Sequence, residues 1–154
     1  LDWKLRNDPR VIVMERTNAR GLSPDWFKQP PTFASIDVSF ISVRLILPAL
    51  YACLGDKAYA VVLVKPQFEA GRENVGKNGV VRDARVHARV LAAAADFARA
   101  TGFAVRHMDY SPIKGPKGNI EFLLVLQKGE DAEVCVDSPQ QVVDAAHAAL
   151  DKAE

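Results

Sequence analysis

The chain is poor in the residues that build extracellular scaffolds, metal centres and membrane spans. It has two cysteines in 154 residues, Cys53 and Cys135. Two thiols so far apart give no disulfide framework, although a single bridge stays open. Neither lies beside a histidine pair, so zinc ligation is disfavoured and no metal is expected. Both read as small buried hydrophobes. The three histidines, His87, His107 and His147, match no triad or metal spacing. No apolar run approaches the roughly 20 residues that cross a bilayer. The opening mixes Asp2, Lys4, Arg6 and Asp8, which is not a signal peptide. These absences point to the cytoplasm. A dominant charge is lacking too: 20 Lys and Arg against 19 Asp and Glu leave a formal charge of +1. No global field calls for a nucleic-acid partner, but local basic clusters are free to bind RNA. Repeats and low-complexity tracts are absent.

What is present is an ordinary globular composition, 49% hydrophobic and 25% charged, enough for one domain with its own core. Leu1 to Arg6 reads as the latter half of an amphipathic helix without a cap, broken at Asn7-Asp8-Pro9. That opening suggests a fragment of a longer protein. Arg10 to Glu15 reads as a buried strand. Gly21 to Pro31 is a loop with a short helix near Asp25, and 33–38 is the next strand. Ile41 to Leu54 is apolar nearly all round and reads as a helix, kinked or divided at Pro48. Residues 59–64 are a buried strand. Pro66 to Arg82 is a long Gly- and Asn-rich loop, of a length usually functional or mobile.

Asp83 fits the cap of a helix to about Ala100, with Ala88, Leu91, Ala92, Ala95 and Ala98 facing the core and Gly102 as its stop. Strands follow at 103–108 and 120–127. Ser138 is the expected cap of a last helix, with Pro139 at its first position. Alternating strands and helices imply an α/β sandwich with a mostly parallel sheet. The last two strands are joined by about a dozen residues with no helix, which makes one of them antiparallel.

Three ionisable groups stand at strand ends. Asp37 closes Phe33-Ala34-Ser35-Ile36, Lys65 closes Tyr59-Ala60-Val61-Val62-Leu63-Val64, and Glu121 opens the strand near 120. Ligands of open α/β sheets bind beyond the carboxyl ends of the parallel strands. An antiparallel last strand brings Glu121 to that same edge, so the three groups can share one crevice. Each also has an ordinary explanation. Asp37 can cap the following helix, as Ser39 or Ser42 can. Lys65 can extend its head to solvent, and Glu121 can pair with Lys117.

The segments Ile36-Asp37-Val38-Ser39-Phe40-Ile41-Ser42, Leu63-Val64-Lys65-Pro66-Gln67-Phe68-Glu69 and Ser111-Pro112-Ile113-Lys114-Gly115-Pro116-Lys117-Gly118-Asn119-Ile120-Glu121 resemble the TlyA family. Glu15-Arg16-Thr17-Asn18-Ala19-Arg20 fits as well. These are ribosomal RNA ribose 2′-O-methyltransferases of the FtsJ-like (RrmJ-type) group, many labelled hemolysins. The resemblance implies a Rossmann-like S-adenosylmethionine-dependent methyltransferase sandwich whose first strands are missing. It also implies that the S4-like RNA-binding domain and the cofactor's glycine-rich turn are absent from residues 1–154. Of the family's Lys-Asp-Lys-Glu tetrad it maps the last three to Asp37, Lys65 and Glu121, and the first Lys has no counterpart.

The implied chemistry is methyl transfer to a ribose 2′-hydroxyl, on cytidine by family likeness. A lysine serves as base there only if burial or a nearby cation favours its neutral form. Asp37 would hold that lysine and the donor, and Glu121 would position the ribose. Glu15, Thr17 and Asn18 are candidates for the adenine end of the cofactor, Asp37 and Val38 for its methionine end. Asn18 and Thr17 also make ordinary turns. Arg72, Lys77, Arg82, Lys114 and Lys117 are candidates for RNA phosphates, with Arg16 and Arg20 extending the patch; the plain alternative is solvated loop charge. Partners are therefore ribosomal RNA or ribosomal subunits. The rival function is a non-catalytic RNA-binding or assembly fragment. Lacking the glycine turn, the chain alone is expected to bind the cofactor weakly and to be inactive. Sheet and helix faces left uncovered favour a homodimer or poor solubility.

Overall fold

The computed structural model describes residues 1–129, 135 and 137–151. Four strands form one sheet: β1 (Phe33–Ile36), β2 (Tyr59–Val64), β3 (Phe103–Tyr110) and β4 (Phe122–Lys128). Their order is β1-β2-β4-β3. β1 and β2 are parallel, and β4 runs antiparallel to both β2 and β3. The last strand thus inserts inside the sheet, against its neighbours' direction. The arrangement is a Rossmann-like α/β sandwich, as the sequence implied.

The helices are α1 (Trp3–Arg6), α2 (Leu47–Cys53), α3 (Pro66–Glu69), α4 (Ala84–Thr101) and α5 (Pro139–Leu150). α4 lays Val86, Val90, Leu91, Ala94, Ala95 and Ala98 on the sheet. There they meet Ala60, Val62, Val64, Phe122, Leu124 and Leu126, all fully buried. Each large apolar side chain in that layer contributes about 1.5–3 kcal/mol by leaving water. The Asp83 side chain caps α4 by accepting from the Arg85 N–H at 2.8 Å. That bond holds its carboxyl below the usual range. Gly102 ends the helix at φ +123°, where a Cβ would also strike the Tyr51 ring.

Several expectations change. Arg10 to Glu15 forms no strand. A strand needs a ladder partner, and the four-strand order leaves this segment outside the sheet, with Ile12 85% exposed. The helix expected over 41–54 is a single 3-10 turn at Val43–Leu45 followed by α2, with Pro48 in the first turn of α2, where its missing N–H costs nothing. The long loop after β2 opens with α3, because Pro66 is pre-set for a first helical position. α1 does have a cap: Asp2 accepts from the Lys4 N–H. Ser138 stands at the cap position of α5 but makes no side-chain capping bond. β4 starts one residue after Glu121.

His87, 1% exposed, joins α4 to two other segments. Its Nε2 lies 2.8 Å from the Val81 carbonyl and its Nδ1 2.8 Å from His147 Nε2 on α5. A neutral His87 donates to Val81 and accepts from His147. Burial pushes its pKa below the usual histidine value, although the Val81 carbonyl works the other way. Below about pH 6.5 the unfolded chain takes up this proton more readily than the fold does. Stability from this site is full above that pH and is lost as pH falls through the folded value. Denaturant titrations at pH 7.5 and pH 5 should show the loss, and His87→Gln should flatten it. Equal pH dependence in the two proteins would contradict this account.

Candidate active site

The candidate site lies where β1 and β2 end. Lys65 follows the last residue of β2, and Asp37 follows the last residue of β1. The parallel register, Ile36 opposite Val62, places the two ends side by side. Lys65 Nζ reaches Asp37 Oδ1 at 2.5 Å and donates to Ser39 Oγ at 3.3 Å. The Lys65 side chain is 11% exposed, whereas that of Asp37 is 67% exposed. The ammonium is held from inside, and the carboxylate keeps an open side.

Glu121 arrives from the antiparallel strand. The ladder ends at Val64 opposite Phe122. Lys65 and Glu121 are the next residues of their chains beyond that pair, and no ion pair joins them among the described residues. Glu121 is 7% exposed, and the Gln67 amide donates to its Oε2 at 2.9 Å. Its partner is thus Gln67, not the Lys117 of the ordinary reading.

Gln67, Phe68 and Glu69 are the residues whose part the sequence left unread. All follow Lys65 in the turn of α3. The Phe68 ring packs against Phe40 with centroids 5.1 Å apart. Glu69 accepts from Ser42 Oγ at 2.7 Å and from the Val43 N–H at 2.8 Å. One helical turn therefore grips the segment after β1 and the start of β4. The tight Lys-Pro-Gln-Phe-Glu run was visible, but its division of labour needs the sheet order. Phe40 is 86% exposed at φ +69°, uncommon for an aromatic residue. It borders an open groove of about 460 Å³ with Gln67, Phe68, Arg72 and Gly76.

Of the candidate phosphate ligands, Arg72 lines that groove and Arg82 lines a separate hollow with Val81, His87 and Asp151. Arg72, Lys77, Arg82 and Lys117 are exposed, and Lys114 pairs with Asp151 at 3.3 Å. Buried Asn119 couples their two loops: it accepts from the Val81 N–H at 3.0 Å and donates to the Gly79 and Pro116 carbonyls. The candidate cofactor residues upstream are bonded locally. Glu15 pairs with Arg6, Thr17 donates to the Glu15 carbonyl, and Asn18 caps a 3-10 turn. Val38 is half-buried against the core.

The chain belongs to the FtsJ-like methyltransferase family, which it matches over residues 1–128. YqxC of Bacillus subtilis, named for rRNA methyltransferase activity, is 52% identical over 155 residues, covering 97% of this chain and 55% of that protein. The Mycobacterium tuberculosis 16S/23S rRNA (cytidine-2'-O)-methyltransferase TlyA is 44% identical over 150 residues, covering 97% and 55%. A solved Streptococcus thermophilus structure labelled a hemolysin superposes with a TM-score of 0.90 at 49% identity, covering 98% of this chain and 55% of that one. The chain thus spans about half the length of the curated relatives it matches. Among the described residues no helix is long and apolar enough to cross a membrane.

Glu69→Ala removes two hydrogen bonds to a charged group and should cost about 1–3 kcal/mol in denaturant unfolding. Glu69→Gln should cost less. Wild-type stability in Glu69→Ala would show that the turn does not clamp the two strand ends.

Proposed function

We propose that this chain carries the methyl-transfer site of a ribosomal RNA ribose 2′-O-methyltransferase acting on cytidine. The observation that carries the reading is the Lys65–Asp37 contact at two strand ends, in a chain of FtsJ-like family. The names of the relatives supply ribosomal RNA and cytidine.

S-adenosylmethionine, when bound, supplies an electrophilic methyl group. The residues present fit it: the open side of the Asp37 carboxylate, 67% exposed, is free for a cation. Asp37 and Val38 would hold its methionine end, and Glu15, Thr17 and Asn18 its adenine end. The 2′-hydroxyl needs orientation and loss of its proton. Lys65 is the group placed to take that proton. Ser39 and Asp37 fix the direction of its Nζ. Glu121 orients the ribose. The groove beside Phe40 and Phe68 offers ring faces to an unstacked base. Arg72, Lys77, Arg82, Lys114 and Lys117 hold phosphates and set register rather than sequence.

The test uses the full-length protein, labelled S-adenosylmethionine and ribosomal subunits that lack the modification. Wild type should transfer label to a ribose. Lys65→Ala, Asp37→Ala and Glu121→Ala should each lower the rate roughly 100-fold or more, with RNA affinity retained. Tight RNA binding without transfer by the wild type would favour the non-catalytic alternative, and full activity in the variants would remove these residues from the chemistry.

A further inference from the structure

We propose that Gln67 and Gly115 are positioning residues that fix the carboxylate of Glu121 in one orientation. The inference rests on the reading of Glu121 as the group that orients the ribose.

A carboxylate that is 7% exposed is costly unless hydrogen bonds replace its water. The backbone of Glu121 is pinned already, since its carbonyl accepts from the Ser111 N–H at 2.8 Å. That leaves the side-chain torsions, and two features remove their freedom. The first is the Gln67 amide, which donates to Oε2 at 2.9 Å. Its other end gains nothing of the kind: Gln67 Oε1 is buried and has no hydrogen-bond partner among the described residues. The bond to Glu121 is the side-chain hydrogen bond this amide makes among the described residues.

The second feature is the bare backbone of Gly115. Its φ of −74° and ψ of −170° are open to any residue, so no turn requires glycine here. A Cβ at this position would instead overlap the Glu121 carboxylate, with Cδ only 2.6 Å away. The position is therefore short of room. Gly115 is itself anchored, its N–H donating to the Asn119 carbonyl at 2.7 Å. The carboxylate is caught between an anchored backbone and an amide on the turn that begins at Lys65. The same turn thus sets Lys65 and, through Gln67, the acid opposite it.

The experiment measures methyl transfer by the full-length protein to ribosomal subunits at saturating S-adenosylmethionine. Gln67→Leu keeps the bulk and loses the donor. It should lower kcat roughly 10- to 100-fold while leaving the KM for S-adenosylmethionine unchanged. Gln67→Glu should be as slow at neutral pH. Its deficit relative to wild type should shrink as pH falls, because two adjacent carboxyl groups can then share a proton. Gly115→Ala should slow wild type but add nothing in a Glu121→Ala background, and Gln67→Leu should behave the same way. Wild-type kcat in Gln67→Leu, or effects that persist in full without Glu121, would overturn the proposal. If Gly115→Ala does not fold, the Gln67→Leu and Glu121→Ala pair decides alone. If the wild type transfers no methyl group, the proposed function fails, and the clamp is judged by crystal structures of wild type and Gln67→Leu. A carboxylate that turns in the variant supports it, and one that keeps its rotamer overturns it.

Discussion

The antiparallel course of β4 decides which chain ends meet. Because β4 enters between β2 and β3 against their direction, its amino end lies where β2 finishes. A parallel β4 would carry Glu121 to the opposite edge of the sheet, far from Lys65 and Asp37. The insertion is held by one apolar layer: Phe122, Leu124 and Leu126 of β4 continue the buried face made by Ala60, Val62 and Val64 of β2. A slip of one residue would turn these side chains to the other face. The same slip would turn Glu121 away from Lys65. Core packing and site geometry are thus one constraint.

Within that frame the turn of α3 does the fine placement. Neighbouring residues of this turn have different partners: Lys65 meets Asp37, Gln67 meets Glu121, Phe68 meets Phe40 and Glu69 meets Ser42 and Val43. A helical turn spreads successive side chains around its axis, so one short segment can reach several strand ends at once. Asn119 and His87 perform the matching task further out. They take up both backbone groups of Val81 and so fasten the far end of the Gly-rich loop. This bonding ties the loop that carries Arg72, Lys77 and Arg82 to the one that carries Lys114 and Lys117.

Much of this was legible because the signals are local. Alternation and continuous apolar runs give β1, β2, β3 and β4, and Asp83 and Gly102 mark the ends of α4. The missing helix between β3 and β4 reveals the antiparallel strand. The charged strand ends give the candidate site. Where reading failed, the deciding term was not local. Val11 to Met14 looks like a strand from its side chains, yet a ladder requires a partner that these residues do not find. Pro66 reads as the start of a loop because Gly71 to Gly79 dominate the composition that follows. Gln67 and Asn119 carry no signal in sequence beyond polarity, since their value lies in partners 54 and 38 residues away.

The central claim is that Asp37 and Lys65 act as one unit. A double-mutant cycle on methyl transfer by the full-length protein, with Asp37→Asn and Lys65→Met, tests it most directly. Residues that work as a unit are strongly non-additive. The account predicts that each single variant loses most of the rate and that the double variant is no slower than the worse single. Losses that multiply in the double variant would contradict it.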